Sequence, residues 1–486
     1  YSDRPPSPVA RSHLHRRFPA KHNGPDTKSP GQFVILIPLT HSSTISPICS
    51  CFVARAVHVI CFLLVLFAGS GVVLLTSHTT ALNPDKPVPI PPSKQRSGDA
   101  AKGFEYLTTG DYVKGGIPYD FFLMGKGKEQ QNYLNRTGLN ATVPHDYTVV
   151  KAVNGENLVA PNCMQCHAQV FNDSLIVGMG NTLIDFSMGQ QLNPAALKMM
   201  GTMMKANSPA KYEASKNFLQ VAGTIGPYLT TAVRGVNAAD RLAAVLVAHR
   251  DPKTLKWSDS AYMDIPKEVI PSDVPAWWLL RKKNAMFYNG FGRGDFGRFL
   301  MASNLLTVTD SSEAAEVDKR ISDVLAYINN LKPPVYPGKV DKSLAEKGRI
   351  LFIDNCSKCH GKYGAEEEYP NLLIPASIIK TDSALYQSNY QNPQFVNWFN
   401  KSWFAQGDHP ASLVPFNGYI APPLDGIWST APYLHNGSVP TLEAVLNSKL
   451  RPTYWQRNFD KPRYDIESLS WEYKVVDKPG GSQVYN

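Results

Sequence analysis

The stretch DKSLAEKGRILFIDNCSKCH, residues 341–360, decides how this 486-residue sequence is interpreted, because it ends in the motif Cys-x-x-Cys-His. The same motif occurs as CMQCH at residues 163–167. With 7 cysteines and 12 histidines in the chain, two chance matches are not expected. Two thiols three positions apart on a helical turn can form thioethers with the two vinyl groups of one porphyrin, and the adjacent histidine then binds the iron. The spacing therefore predicts two covalently attached haem c groups.

The predicted haem-binding residues form two sets of three. They are Cys163, Cys166 and His167 in the first motif, and Cys356, Cys359 and His360 in the second. A zinc ribbon built from both Cys-x-x-Cys pairs would leave the two histidines without a role, and a thiol-redox motif would need a βαβ context that is missing. The chain has no other cysteine after residue 80, so no disulfide is expected there.

The composition is that of a folded protein. Hydrophobic residues make up 43% of the chain, aromatic residues 10% and charged residues 18%, which excludes a mostly disordered chain. The seven cysteines exclude a disulfide-rich scaffold. The net charge of +9 is unevenly placed, and no cluster of Lys and Arg alternates with aromatic residues, so no nucleic-acid partner is expected.

The stretch AVHVICFLLVLFAGSGVVLLTS, residues 56–77, contains no Asp, Glu, Lys or Arg. As a helix it is long enough to cross a hydrocarbon core of ~30 Å, and the basic residues before it place the N-terminus in the cytoplasm by the positive-inside rule. A cleaved signal peptide and a buried core helix are the alternatives. We therefore expect the protein to be anchored on the periplasmic side of a bacterial inner membrane, or to be periplasmic if the segment is cleaved.

Breaks in the sequence pattern predict the domain organisation. Apolar residues recur at helical spacing from Val317 to Leu331, Pro333 ends that pattern, and Ser343 with Glu346 forms a capping box for the next helix. The predicted segments are a basic N-terminal segment that is disordered or a start-site artefact (1–55), the membrane anchor or signal (56–77), a Pro-rich linker (78–98), an N-terminal haem c domain (99–335), a C-terminal haem c domain (336–460) and a C-terminal tail (461–486).

No segment alternates apolar and polar residues for long enough to predict a sheet. The expected fold class is therefore mainly α, with two cytochrome c-like haem domains that have long irregular loops, preceded by one N-terminal transmembrane or signal helix.

The sixth ligand of each iron is left open by the sequence. All eleven methionines lie at or before Met301, so the C-terminal haem domain has no methionine ligand of its own. The nitrogen candidates there are His409, His435 and a deprotonated Lys449. Around the first haem the sulfur candidates are Met179, Met188, Met199, Met200, Met203 and Met204. Because methionines at helical spacing more often fill a core than bind iron, an open sixth position at the first haem is a serious alternative.

The segment APPLDGIWSTAPYLHNGSVPTLEAVL, residues 421–446, resembles the TAPYxH[DN]GSVxTLEEV segment of the bacterial dihaem cytochrome c peroxidase superfamily. That superfamily includes the methylamine-dehydrogenase-maturing dihaem enzyme and the haem-containing rubber oxygenase. The stretch VPAWWLLRKKNAMFYNGFGRG, residues 274–294, is similar to another conserved segment of those proteins, and the resemblance extends in order over about residues 99–460. It implies that the haem on His167 is reactive and that the haem on His360 transfers electrons.

The chain departs from that superfamily at two places, and a third position suggests a ligand. Tyr288 stands where the family has an inter-haem tryptophan. The catalytic acid of the peroxidases would fall near Val308, which leaves Asp310 or Glu313 as shifted substitutes. The family's sixth ligand follows the histidine of the TAPYxH segment by about 14 residues, which corresponds to Lys449 here. Calcium is implied by family analogy only.

These patterns predict a membrane-tethered dihaem c-type cytochrome that transfers electrons. By the resemblance it is a peroxidase-like dihaem oxidoreductase that acts on peroxide or oxygen at the N-terminal haem. The alternative is a non-catalytic dihaem electron carrier. The expected partners are small redox proteins or a membrane electron-transport complex, with the membrane itself contacted through residues 56–77.

Overall fold

The structure is a computed structural model that describes residues 85–129, 131–187 and 193–485. These residues belong to one compact unit that starts at Leu82. The predicted segments 1–55 and 56–77 lie outside the described residues. Within the part of the chain that is described, no helix combines the length and the apolar character needed to cross a bilayer.

The described helices are short apart from four of 14 to 20 residues. In chain order they are α1 (Ala100–Thr109), α2 (Tyr119–Lys126), α3 (Met164–His167), α4 (Pro194–Asn207), α5 (Pro209–Ile225), α6 (Ala239–Ala248), α7 (Phe296–Ala302), α8 (Ser311–Asn330), α9 (Lys342–Asn355), α10 (Ser357–His360), α11 (Ala376–Ile379), α12 (Ala384–Gln391), α13 (Pro393–Lys401) and α14 (Leu442–Leu446).

The strands form small antiparallel sheets between the helices. They are β1 (Val88–Pro89), β2 (Ile117–Pro118), β3 (Tyr147–Lys151), β4 (Asn157–Pro161), β5 (Ala168–Phe171), β6 (Ser174–Val177), β7 (Gly292–Gly294), β8 (Leu372–Pro375), β9 (Ala411–Leu413), β10 (Gly418–Ile420), β11 (Trp455–Arg457), β12 (Tyr464–Asp465), β13 (Ser470–Trp471), β14 (Tyr473–Val475) and β15 (Val484–Tyr485). The strand orders are β1-β8-β10, β2-β4-β3, β5-β6, β7-β9, β14-β11-β15 and β12-β13.

The expected fold class, mainly α, is wrong for this structure. The fold mixes helix and strand, at 42% and 14%, and none of the described helices can span a membrane. Each strand has only two to five residues. Alternation of apolar and polar residues cannot be recognised over such a length, so the sheets left no periodic signal in the sequence.

One hairpin did leave a different signal. Strands β3 and β4 pair from Tyr147 with Pro161 to Lys151 with Asn157, and the turn between them contains Asn154 and Gly155. An Asn-Gly pair between apolar segments is the strongest short-range hairpin signal, because both residues adopt positive φ readily. This hairpin was therefore predictable from turn chemistry although not from periodicity.

The helix predicted from residue 317 onward is present as α8, and it is the central element of the main core. Its buried side chains are Ala314, Val317, Ile321, Val324, Leu325 and Ile328. Helix α1 packs so closely on α8 that a Cβ on Gly103 would lie 1.9 Å from the carbonyl oxygen of Asp323. Only glycine permits that approach.

The start of α9 differs from the predicted capping box. Asp341 is the N-cap, and its side chain accepts hydrogen bonds from the backbone N–H groups of Ser343 and Leu344. Glu346 forms an ion pair with Arg349 instead of returning to the cap. Aspartate is as good an N-cap as serine. Because Asp341 is the N-cap, the helix starts two residues earlier than a cap at Ser343 would give.

Part of the predicted linker 78–98 is packed on the folded unit. Strand β1 pairs with β8, with Val88 opposite Leu373. Arg96 forms ion pairs with Asp295 and Asp318, both at 2.9 Å or less. Residue 336 is the predicted start of the C-terminal haem c domain. These contacts therefore connect the segment before α1 to elements on both sides of that predicted boundary.

Candidate haem sites

The first motif forms a single helical turn, α3, between strands β4 and β5. The side chain of Asn162 accepts a hydrogen bond from the N–H of Met164 at 2.9 Å and donates to the carbonyl of His145 at 3.0 Å. On the other side, the N–H of Asn181 donates to the carbonyl of Cys166 at 2.8 Å. Two asparagines therefore hold the turn in place from both sides.

His167 ends this turn in the state that iron requires. Its ring stacks on the indole of Trp277, with centroids 4.5 Å apart and an angle of 17°. Its Nδ1 is enclosed and has no hydrogen-bond partner. Burial lowers the pKa of His167 to about 3, so the imidazole is neutral at physiological pH. A neutral imidazole with unused nitrogens fits an axial haem ligand.

The two cysteines of the first motif are free thiols, partly buried. Burial raises the pKa of Cys163 to about 11 and the pKa of Cys166 to about 12. The thiols therefore stay protonated at neutral pH, as poor nucleophiles and poor ligands of a soft metal ion. That state does not favour a role in thiol exchange.

The second motif is the turn α10, which follows α9 directly. The Nδ1–H of His360 donates to the carbonyl of Pro422 at 2.9 Å. A hydrogen bond from Nδ1 to a backbone carbonyl fixes the ring and leaves Nε2 as the nitrogen that can bind iron. Tyr363 ties the same two segments together, because its hydroxyl donates to the carbonyl of His360 and accepts from the N–H of Leu424.

Helix α9 presents an apolar face that the described protein does not cover. None of its residues is buried. Leu344 and Leu351, two turns apart on one face, are 63% and 64% exposed. A helix that leads into Cys356 and keeps large apolar side chains uncovered fits a site that a porphyrin occupies, because the porphyrin plane is itself apolar.

Two adjacent tryptophans connect the motifs. Trp277 stacks on His167, and the indole N–H of Trp278 donates to the carbonyl of Asp425 at 2.9 Å. Asp425 belongs to the loop that binds His360 through Pro422, and its carboxylate accepts a hydrogen bond from Lys282 at 2.7 Å. Neither tryptophan could be assigned a role from the sequence, since a buried tryptophan is by itself only a core residue.

Tyr288 and His435 occupy the same position in two turns of equal geometry. Each turn has a residue with positive φ three positions before a glycine. Phe287, before Gly290, has a φ of +69°, and Leu434, before Gly437, has a φ of +68°. Each turn is closed by an antiparallel bridge, from Met286 to Gly292 and from Tyr433 to Val439. The shared signal in the sequence is an Asn-Gly pair after an aromatic residue or histidine, at 288–290 and 435–437. The two turns therefore form an internal structural repeat, which was not predicted from the sequence.

The side chains of this repeat meet in one polar cluster. The rings of Tyr288 and His435 are 6.3 Å apart. The Tyr288 hydroxyl donates to Asp273 at 3.2 Å. The Nε2 of His435 bonds to Asp382 at 3.0 Å and lies 3.2 Å from the hydroxyl of Tyr419. The predicted ligand His435 thus has its Nε2 engaged by two protein groups.

The other predicted site residues lie apart from this cluster. Asp310 is the N-cap of α8 and accepts from the N–H of Ser312 at 2.9 Å. Glu313 accepts from the N–H of Thr309 at 2.6 Å. Both carboxylates therefore stabilise the start of a helix. Lys449, in a short 3-10 turn at Ser448–Leu450, and His409 are exposed. Among the described residues, no group of three or more His, Cys, Asp or Glu side chains is placed to hold a metal ion such as calcium.

The protonation of Asp273 gives a pH-dependent prediction. Burial raises the pKa of Asp273 to about 7, although the hydroxyl of Tyr288 opposes that rise. An unfolded aspartate has a pKa of about 3.9, so only the folded protein holds this proton between about pH 4 and pH 7. Stability contributed by Asp273 therefore falls as pH rises through that interval, at up to about 1.4 kcal/mol per pH unit.

We expect Asp273→Asn to remove this decrease in folding stability with rising pH. The free energy of unfolding of the variant relative to the wild type should increase between about pH 5 and about pH 8, as measured by denaturant unfolding. The exposed Asp408→Asn is the matched control and should follow the wild type at every pH. A constant difference between Asp273→Asn and the wild type would contradict the assigned protonation.

Comparison with known proteins identifies part of this structure. Residues 418–456 match the family described as RoxA-like, cytochrome c-like. The chain is also similar to two uncharacterized proteins of Sinorhizobium fredii (strain NBRC 101917 / NGR234). It is 28% identical to y4iM over 222 residues, 41% of this chain and 50% of y4iM, and 29% identical to y4iJ over 213 residues, 31% of this chain and 36% of y4iJ. The chain thus spans half or less of the curated relatives that it matches.

The matched segment bears directly on the second site. It starts at β10, includes Pro422 and His435, and ends within β11. The carbonyl that fixes His360 therefore lies within the segment that is similar to this cytochrome c-like family. This relationship supports haem c as the cofactor and a haem-cytochrome oxidoreductase as the class of protein.

Proposed function

We propose that the chain is a dihaem c-type cytochrome, with one haem attached at Cys163 and Cys166 and the other at Cys356 and Cys359. The observation that carries this proposal is the pair of Cys-x-x-Cys-His turns joined through Trp277 and Trp278. When bound, haem c supplies a one-electron centre at an iron held by histidine. In this proposal the basic activity of the protein is electron transfer.

The contacts around each histidine support a division of roles. His360 is held rigidly by Pro422, which suits a centre that changes oxidation state with little rearrangement. His167 lacks such a hydrogen bond at Nδ1 and is positioned by stacking on Trp277 alone. We therefore assign the electron-transfer role to the His360 site. The His167 site is assigned the reaction with peroxide or oxygen.

The protein contributes orientation and an electron path in this proposal. Trp277 keeps the His167 ring in one orientation, and Trp278 binds the loop that orients His360. Aromatic side chains and hydrogen bonds thus form a continuous contact between the two histidines. The ion pair of Lys282 with Asp425 is a further bond between the tryptophan segment and this loop.

A non-catalytic electron carrier is the second candidate, and one observation favours it. Cleavage of a peroxide O–O bond needs an acid–base group beside the distal oxygen. Asp310 and Glu313, the carboxylates predicted for that role, both accept hydrogen bonds from the backbone at the start of α8. Two six-coordinate haems without substrate chemistry would need neither carboxylate.

Binding of small ligands distinguishes the two candidates. We expect carbon monoxide to change the absorption spectrum of the reduced protein, and cyanide that of the oxidised protein, at one haem of the two. An open or weakly bound sixth position on the first iron is the reason for this expectation. Spectra that stay unchanged with both ligands in every redox state would support the carrier.

We further propose that the partners are small redox proteins or a membrane electron-transport complex. We also propose that the haem-containing part faces the periplasm. Attachment of haem c takes place on the outer side of the bacterial inner membrane, and the cysteines after residue 80 all belong to the two motifs. Protease accessibility in spheroplasts tests this location, since cleavage of the haem domains is expected without lysis.

A further inference from the structure

Arg457, the last residue of β11, reaches from the C-terminal part of the chain to the first haem motif. Its side chain is 2% exposed. Nη2 donates to the carbonyl of Thr182, and Nη1 lies 3.3 Å from the Thr182 hydroxyl. The N–H of Thr182 donates to the side chain of Gln169 at 2.8 Å, two residues after His167. Arg457 therefore holds Thr182, and Thr182 in turn bonds to Gln169 next to the motif.

The guanidinium of Arg457 lacks an ion-pair partner among the described residues. Its planar group lies over the rings of Phe459 and Trp471, at 4.4 Å and 5.6 Å from their centroids. Its Nε has no hydrogen-bond partner. The backbone leaves room for it at Gly235, where a Cβ would lie 2.5 Å from Nη2. An arginine remains charged under these conditions, so a buried positive charge is connected through Thr182 to Gln169, two residues after His167.

The acidic side chains that attract Arg457 are Tyr485 and, more weakly, Asp273, and Asp273 forms no ion pair with it. Burial raises the pKa of Asp273 to about 7, so this carboxyl carries a full negative charge only above neutral pH. Arg234, which also acts on Arg457, is itself paired with Asp185 at 3.6 Å. Of these two cations, Arg457 therefore remains the one that has no ion-pair partner among the described residues.

We propose that Arg457 is a positioning residue of the first haem site and that its charge raises the reduction potential of the haem on His167. Reduction from the ferric to the ferrous state lowers the positive charge at the iron by one. A fixed cation nearby disfavours the ferric state more than the ferrous state, and burial reduces the screening of that interaction. This inference rests on the proposed haem at Cys163 and Cys166.

Redox titration of Arg457 variants tests the inference. Arg457→Gln removes the charge and keeps an amide donor, whereas Arg457→Lys keeps the charge and loses the planar fork. The midpoint potential of one haem should be lower in Arg457→Gln than in the wild type, while the other haem keeps its potential. Arg457→Lys should titrate close to the wild type. Arg463→Gln is the matched control and should change neither potential, because Arg463 is exposed and its charge is screened by solvent.

The mass of each protein, measured before titration, separates this inference from the proposed function. A wild type with fewer than two covalent haems would contradict the proposed function. With two haems present, equal potentials in Arg457→Gln and the wild type, or equal shifts of both haems, would overturn the role of Arg457. If Arg457→Gln does not fold, Arg457→Lys decides: a lowered potential in spite of the retained charge would overturn the electrostatic role.

Discussion

The double variant Cys356→Ser/Cys359→Ser is expected to lose one of two covalent haems, and Cys163→Ser/Cys166→Ser is expected to lose the other. Serine cannot form the thioether bonds to the vinyl groups. The first variant should also lose thermal stability, because the apolar face of α9 has no partner in the described protein. Mass spectrometry of the denatured proteins after acid–acetone extraction measures the number of haems that remain.

Lys358→Ala is the control for this experiment, since Lys358 lies at an exposed variable position inside the second motif. It should retain both haems. Retention of both haems in either double variant would show that the thiols do not bind them. Loss of both haems from one double variant would show that the two sites do not form independently.

Arg250→Leu is expected to lower the free energy of unfolding by about 3–5 kcal/mol. Arg250 is 1% exposed, and its guanidinium donates to the backbone carbonyls of Leu255, Leu305 and Val308. It also lies over the ring of Trp257 at 5.5 Å. Leucine would leave three carbonyls without a donor inside the core, and buried unsatisfied polar groups are costly.

Denaturant unfolding measures this effect, and Arg349→Leu provides the comparison. Arg349 is exposed on α9 and pairs only with Glu346 within the same helix. A pair of that kind contributes well under 1 kcal/mol, so the control should stay within about 0.5 kcal/mol of the wild type. A loss at Arg250 no larger than in the control would show that the bonds to the 305–308 segment do not contribute to stability.

The local features of the site could be predicted from the sequence, because they depend on residues that are close together in the chain. The two Cys-x-x-Cys-His motifs are such features, and each forms a helical turn that ends in its histidine. The helix from Ser311 to Asn330 was also predictable, since one face of it is buried along its length. A regular period over many residues gives a strong signal.

The remaining features depend on contacts between distant segments. Trp277 follows His167 by about 110 positions, and nothing in its own neighbourhood indicates that the two rings stack. Arg457 bonds to Thr182 across a separation of 275 residues. The strands are too short to show a period, although the Asn-Gly pairs at 154–155, 289–290 and 436–437 marked three of the turns. These Asn-Gly pairs could therefore have predicted three turns that periodicity did not indicate.

The mass of the purified, denatured wild-type protein tests the central claim most directly. We expect the mass of the polypeptide plus two haem groups that resist acid–acetone extraction, together with the absorption spectrum of reduced haem c. A polypeptide mass without haem, or a protein that contains zinc bound to the four cysteines, would contradict it.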